Sequence, residues 1–92
     1  MSRVALDALV EAGGCRLAAL VETGVEGHRV GPGLAFWGAK AAVAILIEGP
    51  DGIRGFDVKG RELAAAEVEA LAPGAWAAFA AAADAAVRRK ER

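Results

Sequence analysis

The chain contains no asparagine, no glutamine and no tyrosine, and Ser2, Cys15, Thr23 and His28 are each the sole residue of their kind. One cysteine excludes an internal disulfide and every multi-cysteine metal pattern, so no metal or other cofactor is expected. Nucleophilic catalysis needs a hydroxyl or thiol beside a base, with a third group to orient that base. Ser2 falls at an end expected to fray, and Thr23 in an expected turn where its hydroxyl serves the backbone. Only Cys15 and His28 remain as a pair able to meet across a hairpin. Each has a plainer role, Cys15 as a small buried strand residue and His28 at a turn or strand edge. The sequence therefore argues against an enzyme and assigns no catalytic residue, with Cys15 and His28 as the enzymatic alternative.

Charge of one sign is missing too. Eleven basic and twelve acidic residues leave a net charge of −1, so no global field gathers nucleic acid or an anionic membrane. Asp7 and Glu11 lie where a signal peptide would be basic and then apolar. The uncharged apolar runs from Pro32 to Ala39 and from Ala75 to Ala83 fall short of the ~18 residues of a membrane span. The expectation is a cytoplasmic protein without a membrane partner. The glycines around Pro32, with Gly38, Ala39 and Lys40 beyond, lack the spacing and the Ser or Thr of a phosphate-binding loop.

What is present is small and apolar. The 92 residues suit a single domain spanning 1–92. A hydrophobic fraction of 55% overstates the core, because about a quarter of the chain is alanine, which buries little area per side chain. A core this thin is often completed across an interface, which predicts a protein partner or a homodimer.

The segment from Leu20 to Arg29 has a near copy, offset by 26 residues, from Leu46 to Arg54. Each reads as an apolar run closed by glutamate, an acidic-Gly turn and an arginine, a pattern that predicts one β-hairpin design used twice. Cys15 through Glu22 satisfies both strand alternation and helical spacing, and the copy decides for a strand. The turn at Val25 to Gly27 then leads to a return strand from His28 to Val30. Val43 to Ile47, β-branched and apolar on both faces, predicts a central strand, with Ile53 to Val58 returning beside it. Gly55 is expected to be a bulge or a close-packing position. Ser2 as a cap, Leu6, Leu9 and Val10 at i, i+3 and i+4, and Gly13-Gly14 as a stop predict an N-terminal helix over Ser2 through Ala12. Two further helical stretches follow, from about Glu62 to Ala72 and from Ala75 to Lys90, broken at Pro73-Gly74. The expected fold is α+β: an N-terminal helix, two hairpins forming a mainly antiparallel sheet of about four strands, and a broken C-terminal helical segment. That order of elements resembles small dimerising α/β modules such as roadblock domains, but Pro32 to Lys40 is too short for their long middle helix.

Two groups carry the functional expectation. Phe36 and Trp37 sit among glycines on the longest connection, where an aromatic pair can anchor a partner. Arg29 and Arg54 occupy equivalent places in the two hairpins and suit a carboxylate or phosphate, with pairing to Glu22, Glu26, Glu48, Asp51 or Asp57 as the structural alternative. The leading reading is a small non-enzymatic interaction module, such as an accessory subunit, regulator or inhibitor. It would bind a protein partner through a sheet edge and the aromatic loop at Phe36, Trp37, Arg29 and Arg54. The runner-up is a nucleic-acid-associated regulator using Lys59, Arg61, Arg88 and Arg89, although the balanced charge and the shortage of stacking aromatics disfavour nucleic acid.

Overall fold

Gly13 and Gly14 decide the topology of the first third of the molecule. In the computed structural model, which describes residues 2–24 and 40–90, their φ angles are 59° and 81°. Positive φ at both central positions is what a two-residue type I′ hairpin turn requires. They join β2 (Val10–Ala12) to β3 (Cys15–Gly24), with Ala12 opposite Cys15. β1 (Ser2–Leu6) lies farther along the same side of β3, with Ser2 opposite Gly24 and Leu6 opposite Leu20. Asp7 turns the chain between the two. Its N–H donates to the Ala19 carbonyl at 2.8 Å and its carboxylate accepts the Ala8 N–H at 2.9 Å.

The N-terminal helix expected over Ser2 through Ala12 is thus corrected to two strands. Val4 and Leu6 face inward while Arg3 and Ala5 are exposed, the period of two that marks a strand. Glycines with positive φ end helices and close hairpins alike, and here they close a hairpin. Without a helix at its start, the resemblance in element order to roadblock domains also lapses.

Among the described residues the sheet has six strands, not about four, and every pairing is antiparallel. β3 pairs with β4 (Lys40–Gly49), β4 with β5 (Gly52–Asp57), and β5 with β6 (Glu62–Leu63). Glu62 and Leu63, expected in a helix, form that short edge strand. The β3–β4 register slips where Leu20 opposes Ala44 but Val21 opposes Ala42, leaving Val43 as the extra residue of a bulge. Pro50-Asp51 connects β4 to β5, and Gly52 takes a φ of 103° that an L side chain rarely adopts. The expected first hairpin tip, its return strand and the Phe36-Trp37 loop fall in residues 25–39, outside the described residues.

Two helices lie on one face of this sheet. α1 (Ala65–Leu71) starts behind Ala64, whose N–H donates to Glu67 Oε1 at 2.8 Å, half of a capping box. The chain then bends by 109° at residues 72–74 into α2 (Ala75–Lys90). Glu69 braces the bend, one oxygen accepting the Gly74 N–H at 2.8 Å and the other the Trp76 N–H at 3.1 Å. Neither helix alone is long and apolar enough to cross a membrane. The core beneath them holds Ala18 and Leu20 of β3, Ala44 and Leu46 of β4, Leu63, Val68 and Phe79. Among the described residues, six of the eleven buried apolar ones are alanines, so five larger side chains carry most of this core. Gly55 is the close-packing position: a Cβ there would lie 3.1 Å from Leu46 Cδ2 and 3.2 Å from Val68 Cγ2.

Candidate interaction surface

Because side chains alternate along a strand, the residues out of step with Ala18, Leu20, Ala44 and Leu46 project from the opposite face of the sheet. The register aligns them in rows. Val10, Leu17, Ile47 and Arg54 run across β2, β3, β4 and β5. Ala19, Ile45, Phe56 and Glu62 form the next row, and Ala5, Val21 and Ala42 a third. Val10 is 51% exposed, while Leu17, Val21, Ile45, Ile47 and Phe56 are half-buried. No described helix packs on this side. An antiparallel sheet with one solvated face normally alternates apolar and polar residues. Here the second face is also apolar, and a contiguous apolar patch of this kind marks a contact surface.

Arg54 and Glu62 form one rim of the patch. The guanidinium makes a two-pronged contact, Nη2 to Oε1 at 2.9 Å and Nε to Oε2 at 3.1 Å, and its carbon stands 5.4 Å from the centre of the Phe56 ring. Hydrogen bonding to the arginine holds the Glu62 carboxyl below its ordinary value, and the same bonding raises the Arg54 pKa. Ile47, Pro50, Arg54 and Phe56 line a shallow depression of about 260 Å³ beside the β4–β5 turn.

Three of the basic residues singled out from the sequence, Arg54, Arg61 and Arg88, are committed to carboxylates. The fork of Arg54 is occupied by Glu62, an acid on the adjoining strand that the expected pairings did not include, and Arg29 lies outside the described residues. Arg61 reaches Asp57 at 3.3 Å, one of the anticipated acids, and Glu67 at 3.5 Å. Asp57 organises the turn by accepting the Lys59 and Arg61 N–H groups, both at 2.9 Å. These bonds, that from Arg61 foremost, lower its carboxyl pKa. Arg88 pairs with Asp84 at 3.0 Å. Arg89, beside Leu9, Glu11 and Ala86, shares the last turns of α2 with Arg88, whereas Lys59 and Arg61 belong to the β5–β6 turn. Cys15 is partly buried opposite Ala12, its sulfur against Gly49. Its suggested partner His28, like Phe36 and Trp37, is outside the described residues. Among the described residues, no group of three acidic, histidine or cysteine side chains is placed to hold a metal.

Sequence reasoning passed over Leu17, Val21, Ile45, Ile47 and Phe56 as surface residues. Their signal was the run from Val43 to Ile47, which read as a central strand apolar on both faces, whereas the described helices pack on only one. No family model, no curated protein and no solved structure matches this chain.

Proposed function

We propose that this domain is a non-enzymatic interaction module, an accessory subunit, regulator or inhibitor, that docks an apolar protein surface against the face of its sheet on which no described helix packs. The observation that carries the reading is the row structure of that face, where Leu17, Val21, Ile45, Ile47 and Phe56 adjoin with no described element over them. An apolar interface core bounded by a polar rim is the usual anatomy of a protein contact, and Arg54 with Glu62 supplies such a rim. Phe36, Trp37 and Arg29 belong to this proposal as further contacts, because residues 25–39 connect the two strands that contribute most of the face. The location proposed is the cytoplasm, where a lone thiol such as Cys15 stays reduced.

Site-specific photo-cross-linking tests the reading. A benzophenone side chain at position 45 should give a discrete adduct with another protein in the native lysate, and Ile47→Glu should abolish it. The same group in place of Ala81, exposed on α2, should not give that adduct. Equal labelling from both positions would refute the proposal, and so would a position-45 group that reacts only within its own chain.

A further inference from the structure

β1 forms an outer edge of the sheet and, among the described residues, pairs only with β3. One hydrogen bond sets the phase of that edge. Asp7 N–H donates to the carbonyl of Ala19, its partner in the continued β1–β3 register, so Asp7 directs its backbone groups toward β3. Amide direction alternates along an antiparallel strand, so Ala5 and Arg3 do likewise, while Val4 and Leu6 turn their N–H and C=O groups outward. A groove of about 270 Å³ runs along Arg3, Val4, Ala5 and Leu6, with the α1–α2 corner at residues 72–78 as its other wall. That wall presents Ala72, Pro73, Gly74, Ala75 and Ala78, none with a side chain longer than the proline ring to screen the strand. The β1–β3 register is regular, and β1 contains no proline, so it lacks two of the usual devices that protect a sheet edge from pairing.

The residues of this edge complement themselves. Read antiparallel about Ala5, the order Arg3, Val4, Ala5, Leu6, Asp7 sets Arg3 against Asp7, Val4 against Leu6, and Ala5 against Ala5. In that register the outward amides of Val4 and Leu6 meet as hydrogen-bonded pairs. The two-fold axis then passes between the two Ala5 residues at a non-hydrogen-bonded position, where strands approach most closely and a small side chain suits. Arg3, Ala5 and Asp7 are all exposed. Among symmetric registers only this one opposes Arg3 to Asp7; an axis at Arg3 or at Asp7 brings like charges together.

We propose that β1 is a homodimerisation edge: a second copy of the chain adds its own β1 antiparallel about Ala5, clamped by two reciprocal Arg3–Asp7 ion pairs. Such an isologous contact closes on itself and leaves no further edge of this kind to propagate. The inference does not rest on the apolar face, so cross-linking from position 45 can fail while this dimer stands, and the reverse.

The test is sedimentation velocity from low to high micromolar concentration on the wild-type chain, on Arg3→Asp, and on the exchanged double variant Arg3→Asp with Asp7→Arg. The wild type should form a concentration-dependent dimer. Arg3→Asp, which opposes two acids twice, should weaken it about tenfold or more, and the exchange should restore it. Hydrogen exchange provides a second reading: the Val4 and Leu6 amides should gain protection with concentration, while those of Arg3 and Ala5 stay protected throughout. A wild type that remains monomeric at high micromolar concentration overturns the proposal. So does a dimer indifferent to Arg3→Asp, or an exchange that fails to restore association.

Discussion

Gly55 offers a quantitative check on how the helices seat on the sheet. The two atoms that an added Cβ would meet, Leu46 Cδ2 at 3.1 Å and Val68 Cγ2 at 3.2 Å, belong to side chains that are 0% exposed. Carbon atoms pack best at about 3.5–4.0 Å, so the neighbours must retreat by a few tenths of an ångström, and neither has solvent to retreat into. Removing a glycine from a strand interior gains about 0.5–1 kcal/mol of conformational entropy, whereas overpacking a close-packed core costs about 1–3 kcal/mol. The second effect wins. Gly55→Ala should destabilise the domain by about 1 kcal/mol, and Gly55→Val by more. The cost should shrink in a Val68→Ala background, where one of the crowding methyl groups is gone. That makes a double-mutant cycle in urea denaturation the appropriate assay, with a coupling of about 1 kcal/mol expected and m unchanged. A Gly55→Ala variant more stable than the parent, or equal costs in the two backgrounds, would show that α1 does not press on β5 at this point.

Three further outcomes follow from the core, the helix bend and the charged network. Phe79→Ala removes the largest of the five sizeable buried side chains and should cost about 3–5 kcal/mol, a large part of the stability of a domain this size; a melting temperature close to the parent's would contradict the assigned core. Glu69→Ala leaves the Gly74 and Trp76 amides without their acceptor and should cost about 1 kcal/mol, visible as a lower urea midpoint, with Glu69→Gln losing less. Asp57, Glu62 and Glu67 have folded pKa values below their ordinary values of 3.8, 4.5 and 4.5. The folded state therefore binds fewer protons than the unfolded chain. The stabilisation is complete above the ordinary values and is lost as pH falls through the lowered ones. The urea midpoint should drop in acid below about pH 4.5, and less steeply in Glu62→Gln; a midpoint that holds or rises there would be inconsistent with the network.

Much of the fold was legible because patterns of period two and turn chemistry act locally. Val43 to Ile47 announces a strand by β-branching alone, and Pro50-Asp51-Gly52 announces its own turn. Pro73-Gly74 ends a helix wherever it occurs in a helical run. Leu20 and Leu46, matched by the internal repeat, both face the helices at 0% exposure. The N-terminus was misread because its deciding partner is not local. Gly13-Gly14 supplies positive φ to a helix stop and to a type I′ turn equally well. Only the length of β3, whose far half offers a free edge to Ser2–Leu6, selects the hairpin. Glu62 and Leu63 were drawn into a helix for a related reason: two residues carry no period, and their pairing with Phe56 and Gly55 is a tertiary fact.

The surface was harder to read than the fold, and the difficulty lies in β4. A strand apolar on both faces normally lies between two covering layers, and the run from Val43 to Ile47, read as a central strand, does not by itself separate Ile45 and Ile47 from Ala44 and Leu46. Counting helices against faces gives another answer. Among the described residues one bent pair, α1 and α2, serves a six-stranded sheet, and its larger inward side chains, Val68 and Phe79, share a core with Ala18, Leu20, Ala44 and Leu46, against which Val43 at the bulge also packs. The apolar residues on the opposite face, Leu17, Val21, Ile45, Ile47 and Phe56, then have no described layer of their own. Arginine positions misled in the opposite direction, because an exposed guanidinium near a turn suggests an open anion site until its neighbour across the strand is known. Glu62 stands beside Arg54 only because β6 pairs with β5 with Phe56 opposite Glu62, and eight residues of sequence separation give no hint of it. In a chain this rich in alanine, a functional surface is better sought in apolar residues left over after the core has been filled than in charges, since arginines such as Arg16, Arg54, Arg61 and Arg88 already engage carboxylates.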